Sequence, residues 1–346
     1  MSKNFDPNAA AAPDSGLFGL SSKLADAAVH VLPVPFDATA SYRKGAWQGP
    51  DAIYRASKQV DLFDLATGRP YEAGIAMLDA DPRVVKHNRE ASKLADRVIA
   101  AGGVVAGKRE LQKALARVNA LGSEVNELVY RASKRVLESG KLLALVGGDH
   151  STPFGAIRAA LELHPKLGVL HFDAHADLRV AYEGFEWSHA SIMENVTRRL
   201  PLRKLVQVGI RDFCEDEHEL IRASKGRIVT LFDRDWQNAK LEGRDLKQLV
   251  RAHLAELPRE VYVSFDVDGL DPTLCPNTGT PVPGGLNWGD AMFWLDELAR
   301  AKKRVVALDL NEVNPGSAAD EEDSWDAMVG ARLLYRMIAT ALATRR

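Results

Sequence analysis

Cysteine is almost missing from this sequence: Cys214 and Cys275 are the two among 346 residues. That excludes a disulfide framework and fits two reduced thiols in a cytoplasmic protein. No sign of charge dominates. Lys and Arg number 45 against 47 Asp and Glu, a formal net charge of −2. So neutral a chain lacks the electrostatic footprint of sequence-independent nucleic-acid binding. Long apolar runs are missing too. Stretches such as Leu142–Val146 fall far short of the ~20 residues of a membrane helix. Met1–Gly16 is polar and Ala/Pro-rich, without the apolar centre of a secretory signal. No repeat, low-complexity tract or Pro/Ser linker divides the chain, so residues 1–346 read as one domain.

Short apolar runs bounded by Gly, Pro or charge punctuate it. They are His30–Pro35, Leu142–Val146, Gly168–Phe172, Leu205–Ile210, Ile228–Leu231, Val261–Phe265 and Val305–Leu310. Several are apolar at consecutive positions, as in strands buried on both faces of a parallel sheet. Helical patterns separate many of them. Val125, Leu128, Val129, Ala132, Val136 and Leu137 form one stripe at helical spacing. Strands alternating with helices predict an α/β fold. Residues 81–140 break the rhythm as a helical excursion, with helices expected over Arg109–Ala120 and Ser123–Glu138. Residues 1–25 read as an arm rather than core.

Carboxylates and histidines collect where three apolar runs end. Leu142–Val146 leads into Gly147-Gly148-Asp149-His150-Ser151, whose glycines allow a tight turn and close backbone approach. Gly168–Phe172 leads into Asp173-Ala174-His175-Ala176-Asp177. Along an extended chain, Asp173, His175 and Asp177 would share a face. Val261–Phe265 leads into Asp266-Val267-Asp268-Gly269-Leu270-Asp271-Pro272, with Asp266 and Asp268 placed likewise. Ligands of open α/β sheets bind outside the carboxyl ends of the strands. His150, Asp173, His175, Asp177, Asp266 and Asp268 are therefore expected at one edge. Two imidazoles and four carboxylates are too many for one four-coordinate ion, and no thiolate is among them. Such mixed ligation suits Mn²⁺, Ni²⁺, Fe²⁺ or Zn²⁺ more than Mg²⁺ or Ca²⁺. Two divalent ions would balance the four carboxylates and could share a water. A bridging hydroxide would leave one negative charge, a field that favours a neutral or cationic electrophile over a phosphate ester.

These three motifs resemble the metal motifs of the ureohydrolases, the arginase and agmatinase family. The resemblance runs from about His30 to the C-terminus. It includes Ser41-Tyr42 with Gly49-Pro50, Val208-Gly209-Ile210-Arg211, Thr278-Gly279-Thr280-Pro281 and Asn311-Glu312-Val313-Asn314-Pro315. It implies a three-layer α/β/α fold with a mostly parallel eight-stranded sheet. It also implies two metal ions, Mn²⁺ first and Ni²⁺ as alternative, and a homo-oligomer, trimer or hexamer. The implied reaction is hydrolysis of a small cationic guanidino substrate to an amine and urea. By matching motif, His150, Asp173, Asp177 and Asp266 would hold one ion. His175, Asp173, Asp266 and Asp268 would hold the other. Asp177 would also orient the bridging hydroxide, and Glu312 would accept the guanidinium hydrogen bonds. His189, in Trp187-Ser188-His189-Ala190, stands where the family has its proton-shuttle histidine. On its own it reads as a partly exposed loop histidine, and an imidazole titrating near neutrality would suit protonation of the leaving amine.

The chain departs from the arginase pattern. Arg179 stands two residues after Asp177, where arginases carry the Asn that holds the amino-acid end of arginine. This argues against arginine and toward the agmatinase-like, longer-chain members, which carry an N-terminal extension and a helical insertion. Agmatine comes first on this basis. Free guanidine, a methylated guanidine or biguanide, and 4-guanidinobutyrate are the alternatives. Arg179 and Glu183 are four apart and would pair on a helical turn. Cys275 and Asn277 would narrow or polarise the pocket if they line it. A catalytically silent metal-binding subunit is the reading from another class, and the full ligand set counts against it. A single-zinc deacetylase on this fold would use paired histidines, and no His-His occurs.

Overall fold

The computed structural model describes residues 5–318 and 324–345. Among the described residues, eight strands form one sheet in the order β2-β1-β3-β8-β7-β4-β5-β6, every neighbouring pair parallel. They are β1 (Val29–Val34), β2 (Ile75–Met77), β3 (Leu142–Gly147), β4 (Gly168–Phe172), β5 (Lys204–Ile210), β6 (Ile228–Phe232), β7 (Glu260–Asp266) and β8 (Arg304–Asn311). The seven apolar runs each became a strand. The eighth, β2, is a three-residue edge strand too short to show a period.

Helices cover both faces. One apolar layer packs α1 (Gly49–Ala56), α8 (Leu246–Glu256), α9 (Trp288–Arg300) and α10 (Trp325–Ala343) on the sheet. The other packs α2 (Pro82–Ile99), α3 (Arg109–Glu138), α4 (Phe154–Leu163) and α5 (Ile192–Arg199). Between α5 and α8 lie α6 (Glu215–Ala223) and α7 (Asp233–Leu241). None of these helices is long and apolar enough to cross a membrane.

Two expectations need correction. The expected break near residue 122 does not occur, and α3 runs unbroken for 30 residues. Gly122 serves close approach instead: a Cβ there would lie 2.9 Å from the Cβ of Trp187. Gly122→Ala should lower the unfolding free energy by ~1–3 kcal/mol through overpacking, outweighing the ~1 kcal/mol gain in helix propensity. Urea denaturation measures this, and unchanged stability would mean that Trp187 yields.

The expected arm is also partly core. Leu17, Phe18 and Leu20 are buried, with the Phe18 ring edge-on to Tyr335 at 4.9 Å. Phe5 packs on Tyr71, and Met1–Asn4 lie outside the described residues.

Candidate metal centre

The topology brings the motifs together. β3, β8, β7 and β4 are consecutive in the sheet, and all point the same way. Their carboxyl ends deliver His150, Glu312, Asp266 and Asp173 side by side. Phe172 pairs with Phe265, so the next residues, Asp173 and Asp266, leave adjacent strands together. Gly147 and Gly148 make room here: a Cβ on either would sit 2.0 Å from Asn311 Oδ1 or from the Phe36 carbonyl oxygen.

His150 shows what the cluster is built to hold. Its Nε2 lies 2.9 Å from Ser264 Oγ, and that hydroxyl donates to Asp309 Oδ1 at 2.9 Å. The hydroxyl therefore accepts from His150 Nε2–H, which leaves Nδ1 facing inward. Around Nδ1 stand Oδ2 of Asp173 at 2.9 Å, of Asp266 at 3.3 Å and of Asp177 at 3.4 Å. A lone pair among three carboxylate oxygens needs a positive charge between them. Without one, the nitrogen takes a proton. Hydrogen bonds to Asp173 and Asp266 outweigh burial and hold His150 well above the usual histidine range.

The carboxylates give the same account. Burial, then the neighbouring Asp173, pushes Asp177 well up; burial, then Asp268, does so for Asp266. Burial acts on Asp173 as well, but His171 and His150 overcome it and hold that carboxyl well down. On the other side, His175 Nδ1 lies 2.9 Å from Asp268 Oδ2 and 3.5 Å from Asp173 Oδ1. Ligand atoms of His150, His171, Asp173 and Asp177 form one group able to hold an ion, and those of Asp173, His175 and Asp268 form a second. Asp173 is common to both, and the nitrogen–oxygen donor set fits divalent ions.

The route to this convergence differs from the expected one. The chain is not extended through 173–177 or 266–268. Asp177 has φ +54°, and Asp266 Oδ1 accepts the Asp268 N–H at 2.8 Å in a tight turn. Loop bonds, not strand alternation, aim these side chains. His171 was not singled out from the sequence, although its place two residues before Asp173 on a strand was the available signal.

Glu312 directly follows β8 with φ +65°. Its Oε1 accepts the His150 N–H at 3.0 Å, and its Oε2 makes no hydrogen bond among the described residues. Burial, then Asp266 and Asp149, pushes its carboxyl well above the usual range. His189 begins a short turn capped by Ser188, with its Nδ1 buried and unpartnered and its ring 6.3 Å from Tyr182. Burial and then His175 push it down to about 4. It is uncharged at neutral pH rather than half-titrated. Helix α3 braces this loop: Asn119 bonds to the Gly184 carbonyl and the Glu186 N–H.

A cavity of about 370 Å³ opens over His175 and Asp177, with Tyr42, Arg179, His189 and Asp212 also in its wall. No described residue of the N-terminal arm lines it. Arg179 does not pair with Glu183. Its Nε lies 3.7 Å from Glu217 Oε2 and its guanidinium lies over the Tyr182 ring. The chain turns at Glu183 with φ +50°, so no helical turn forms there. Cys275 is buried in the core and Asn277 bonds to Asp326, so neither lines the cavity. Both cysteines are free.

Fold and site together define an α/β protein with a buried imidazole–carboxylate metal cluster at the carboxyl edge of its sheet. The model of the arginase family matches residues 27–339, and the chain belongs to that family. It is similar to the N(1)-aminopropylagmatine ureohydrolase of Thermus thermophilus, 35% identical over 315 residues and 90% of each chain. A Synechocystis protein of the same name is 31% identical over 320 residues, 91% of this chain and 89% of that one. The solved agmatine ureohydrolase of Thermoplasma volcanium shares the fold at a TM-score of 0.70 and 24% identity, over 93% of this chain and 92% of that one. The chain is a hydrolase acting on an amidino C–N bond.

Proposed function

We propose that this enzyme releases urea from a small guanidino compound in the manner of an agmatinase. The reading rests on a buried surplus of negative charge, four ligand carboxylates with Glu312 beside them, two of the ligands and Glu312 pushed well up. Such a site draws in metal ions and then a cationic electrophile. His150, Asp173, Asp177 and Asp266 would hold one divalent ion, and His175, Asp173, Asp266 and Asp268 the other. Bound there, the ions supply an activated water and Lewis acidity at neutral pH. Mn²⁺ is the first assignment and Ni²⁺ the second, since both accept imidazole and carboxylate.

The chain's own residues do the rest. The free Oε2 of Glu312 accepts from the guanidinium N–H groups and fixes its plane. Asp177 orients the attacking water by accepting its hydrogen. Neutral His189, with an unpartnered ring nitrogen, takes a proton from solvent or water and passes it to the leaving amine. His189→Ala should lower kcat by ~10²–10⁴-fold, the usual worth of a positioned proton-transfer group, and still bind both ions. Wild-type kcat across pH 6–10, an assay window of about four pH units chosen to bracket neutrality, would remove it from the mechanism.

Agmatine is placed first, and the names of the two relatives add N(1)-aminopropylagmatine, which carries a longer cationic tail. Asp212 supports an amine-tailed substrate: it lines the cavity, lies 3.9 Å from His175 Nε2, and pairs with no Lys or Arg among the described residues. Free guanidine, a methylated guanidine or biguanide, and 4-guanidinobutyrate are the competing substrates. The two unpaired thiols fit a cytoplasmic setting, and a homotrimer or hexamer is the proposed assembly. Urea release over this panel, with protein loaded separately with Mn²⁺ and Ni²⁺, is the test. No urea from any guanidino compound with either metal would overturn the reading.

A further inference from the structure

The strands that build the core are mostly apolar between their ends, yet one polar residue from each of five of them lies in a single row. Thr230 on β6 is level with Gln207 on β5, Gln207 with His171 on β4, His171 with Ser264 on β7, and Ser264 with Asp309 on β8. Gln207, His171, Ser264 and Asp309 have no measurable exposure. Polar groups at such depth add little or nothing to stability over well-packed apolar ones. We infer that this row is a template for the metal centre, in which Thr230 and Gln207 fix the tautomer of His171, and His171 is a positioning residue for Asp173.

The hydrogen bonds determine the tautomer. Gln207 Nε2 faces the Ala176 carbonyl oxygen at 2.8 Å, a group that can only accept. The amide NH₂ is therefore on that side, and Thr230 Oγ1 donates to Oε1 at 3.0 Å on the other. The second hydrogen of the NH₂ points to His171 Nδ1 at 3.0 Å, so Nδ1 carries the lone pair. The proton is then on Nε2, which donates to Asp173 Oδ2 at 2.8 Å. The nitrogen nearest the cluster is thus a donor and not an ion ligand. At the other end of the row, Ser264 and Asp309 do the opposite for His150 and turn its lone pair inward.

Asp173 gains a fixed plane from this. Oδ1 accepts the His175 N–H at 2.6 Å and Oδ2 accepts His171 Nε2–H. Each oxygen, held by one such donor, would keep a second lone pair for an ion, as a shared carboxylate requires. The inference rests on the reading of Asp173 as a ligand to both ions.

The experiment compares full-length wild type with His171→Phe, His171→Gln and Gln207→Leu. Mn²⁺ affinity is measured by chelator competition and urea release separately. His171→Phe should weaken Mn²⁺ binding by ~10–100-fold. His171→Gln, which returns an N–H donor near the Nε2 position, should recover most of the loss. In ¹⁵N-histidine-labelled metal-free protein, His171 should be protonated at Nε2 alone, and Gln207→Leu should admit the other tautomer. Wild-type Mn²⁺ affinity in His171→Phe, or a ring protonated at Nδ1 in the wild type, overturns the inference. So does equal loss in His171→Gln and His171→Phe, which would make the ring a ligand. Weakened Mn²⁺ binding in His171→Phe beside a wild type that releases no urea would support the inference while the proposed reaction fails.

Discussion

Asp268→Ala should abolish urea release and leave the protein short of metal. The expected loss exceeds the ~10²-fold that removing an outer partner of a metal ligand costs, because Asp268 is itself assigned as a ligand. Its Oδ2 lies 2.9 Å from His175 Nδ1, and its Oδ1 accepts the Ala174 N–H at 3.0 Å. The second contact has a structural consequence. Alanine leaves a buried N–H without a partner, at about 1–3 kcal/mol. Asp268→Asn keeps an acceptor for Ala174 while removing the charge. If both variants lose metal and activity but only the alanine loses stability, ligation and loop geometry are separated. Metal analysis by mass spectrometry with a urea assay decides it. Two ions per chain with unchanged turnover in Asp268→Ala would remove the proposed site.

The candidate donors were legible because they sit where buried strands end. An apolar run that stops at Asp-x-His or Asp-x-Asp places ligand chemistry at a sheet edge, and parallel pairing gathers such edges. The order of strands was not legible, yet it matters most. β3 and β4 are neighbours in sequence, but β8 and β7 lie between them, which puts Glu312 and Asp266 between His150 and Asp173. No local pattern encodes that insertion. The backbone at two site residues was equally hidden. Asp177 and Glu312 both hold left-handed φ values, which cost non-glycine residues of order 1 kcal/mol or more. The surrounding bonds hold them there. Glu312 donates its N–H to the Gly148 carbonyl and accepts from Thr278 Oγ1, and the Asp177 carbonyl accepts from the Glu194 N–H.

Side-chain partners were the least legible of all. Spacing suggested Arg179 with Glu183, because four residues make one helical turn. The chain has no helix there, and Glu217 comes from the start of α6 instead. Glu217 is already committed: it accepts the N–H groups of Leu178 at 2.9 Å and Cys214 at 2.8 Å. It is a buried carboxyl group that ties the second motif to α6, with Arg179 beside it. The polar row was likewise concealed. Each member reads in sequence as one hydrophilic interruption of an apolar strand, and register alone aligns them.

Arginine should be turned over poorly, with kcat/KM at least ~10²-fold below the best compound of the panel, since a carboxylate desolvated against the carboxylate-rich centre, with no free cation among the described residues to meet it, costs several kcal/mol. The guanidinium end is the same in arginine and agmatine, so the difference arises at the tail. Arginine adds a carboxylate. Two cations stand at the cavity wall to meet it, and both are engaged. Arg179 is set against Glu217 and over Tyr182. Arg43 donates to the Pro276 carbonyl at 2.9 Å and lies over Tyr42. Asp212 has no such partner and stands 3.9 Å from His175. It attracts an ammonium and repels a carboxylate. An amine-tailed guanidine therefore meets a matching charge, free guanidine meets none, and 4-guanidinobutyrate meets an opposing one. Asp212 is well exposed, with 68% of its side chain open to water, so its own contribution is held to ~1 kcal/mol or less by screening. Asp212→Asn should lower kcat/KM for agmatine by up to ~5-fold and leave guanidine unaffected. The effect should fade as salt is raised. Arginine matching the best compound, or Asp212→Asn leaving the agmatine-to-guanidine ratio unchanged at low salt, would show that the tail is read elsewhere in the cavity.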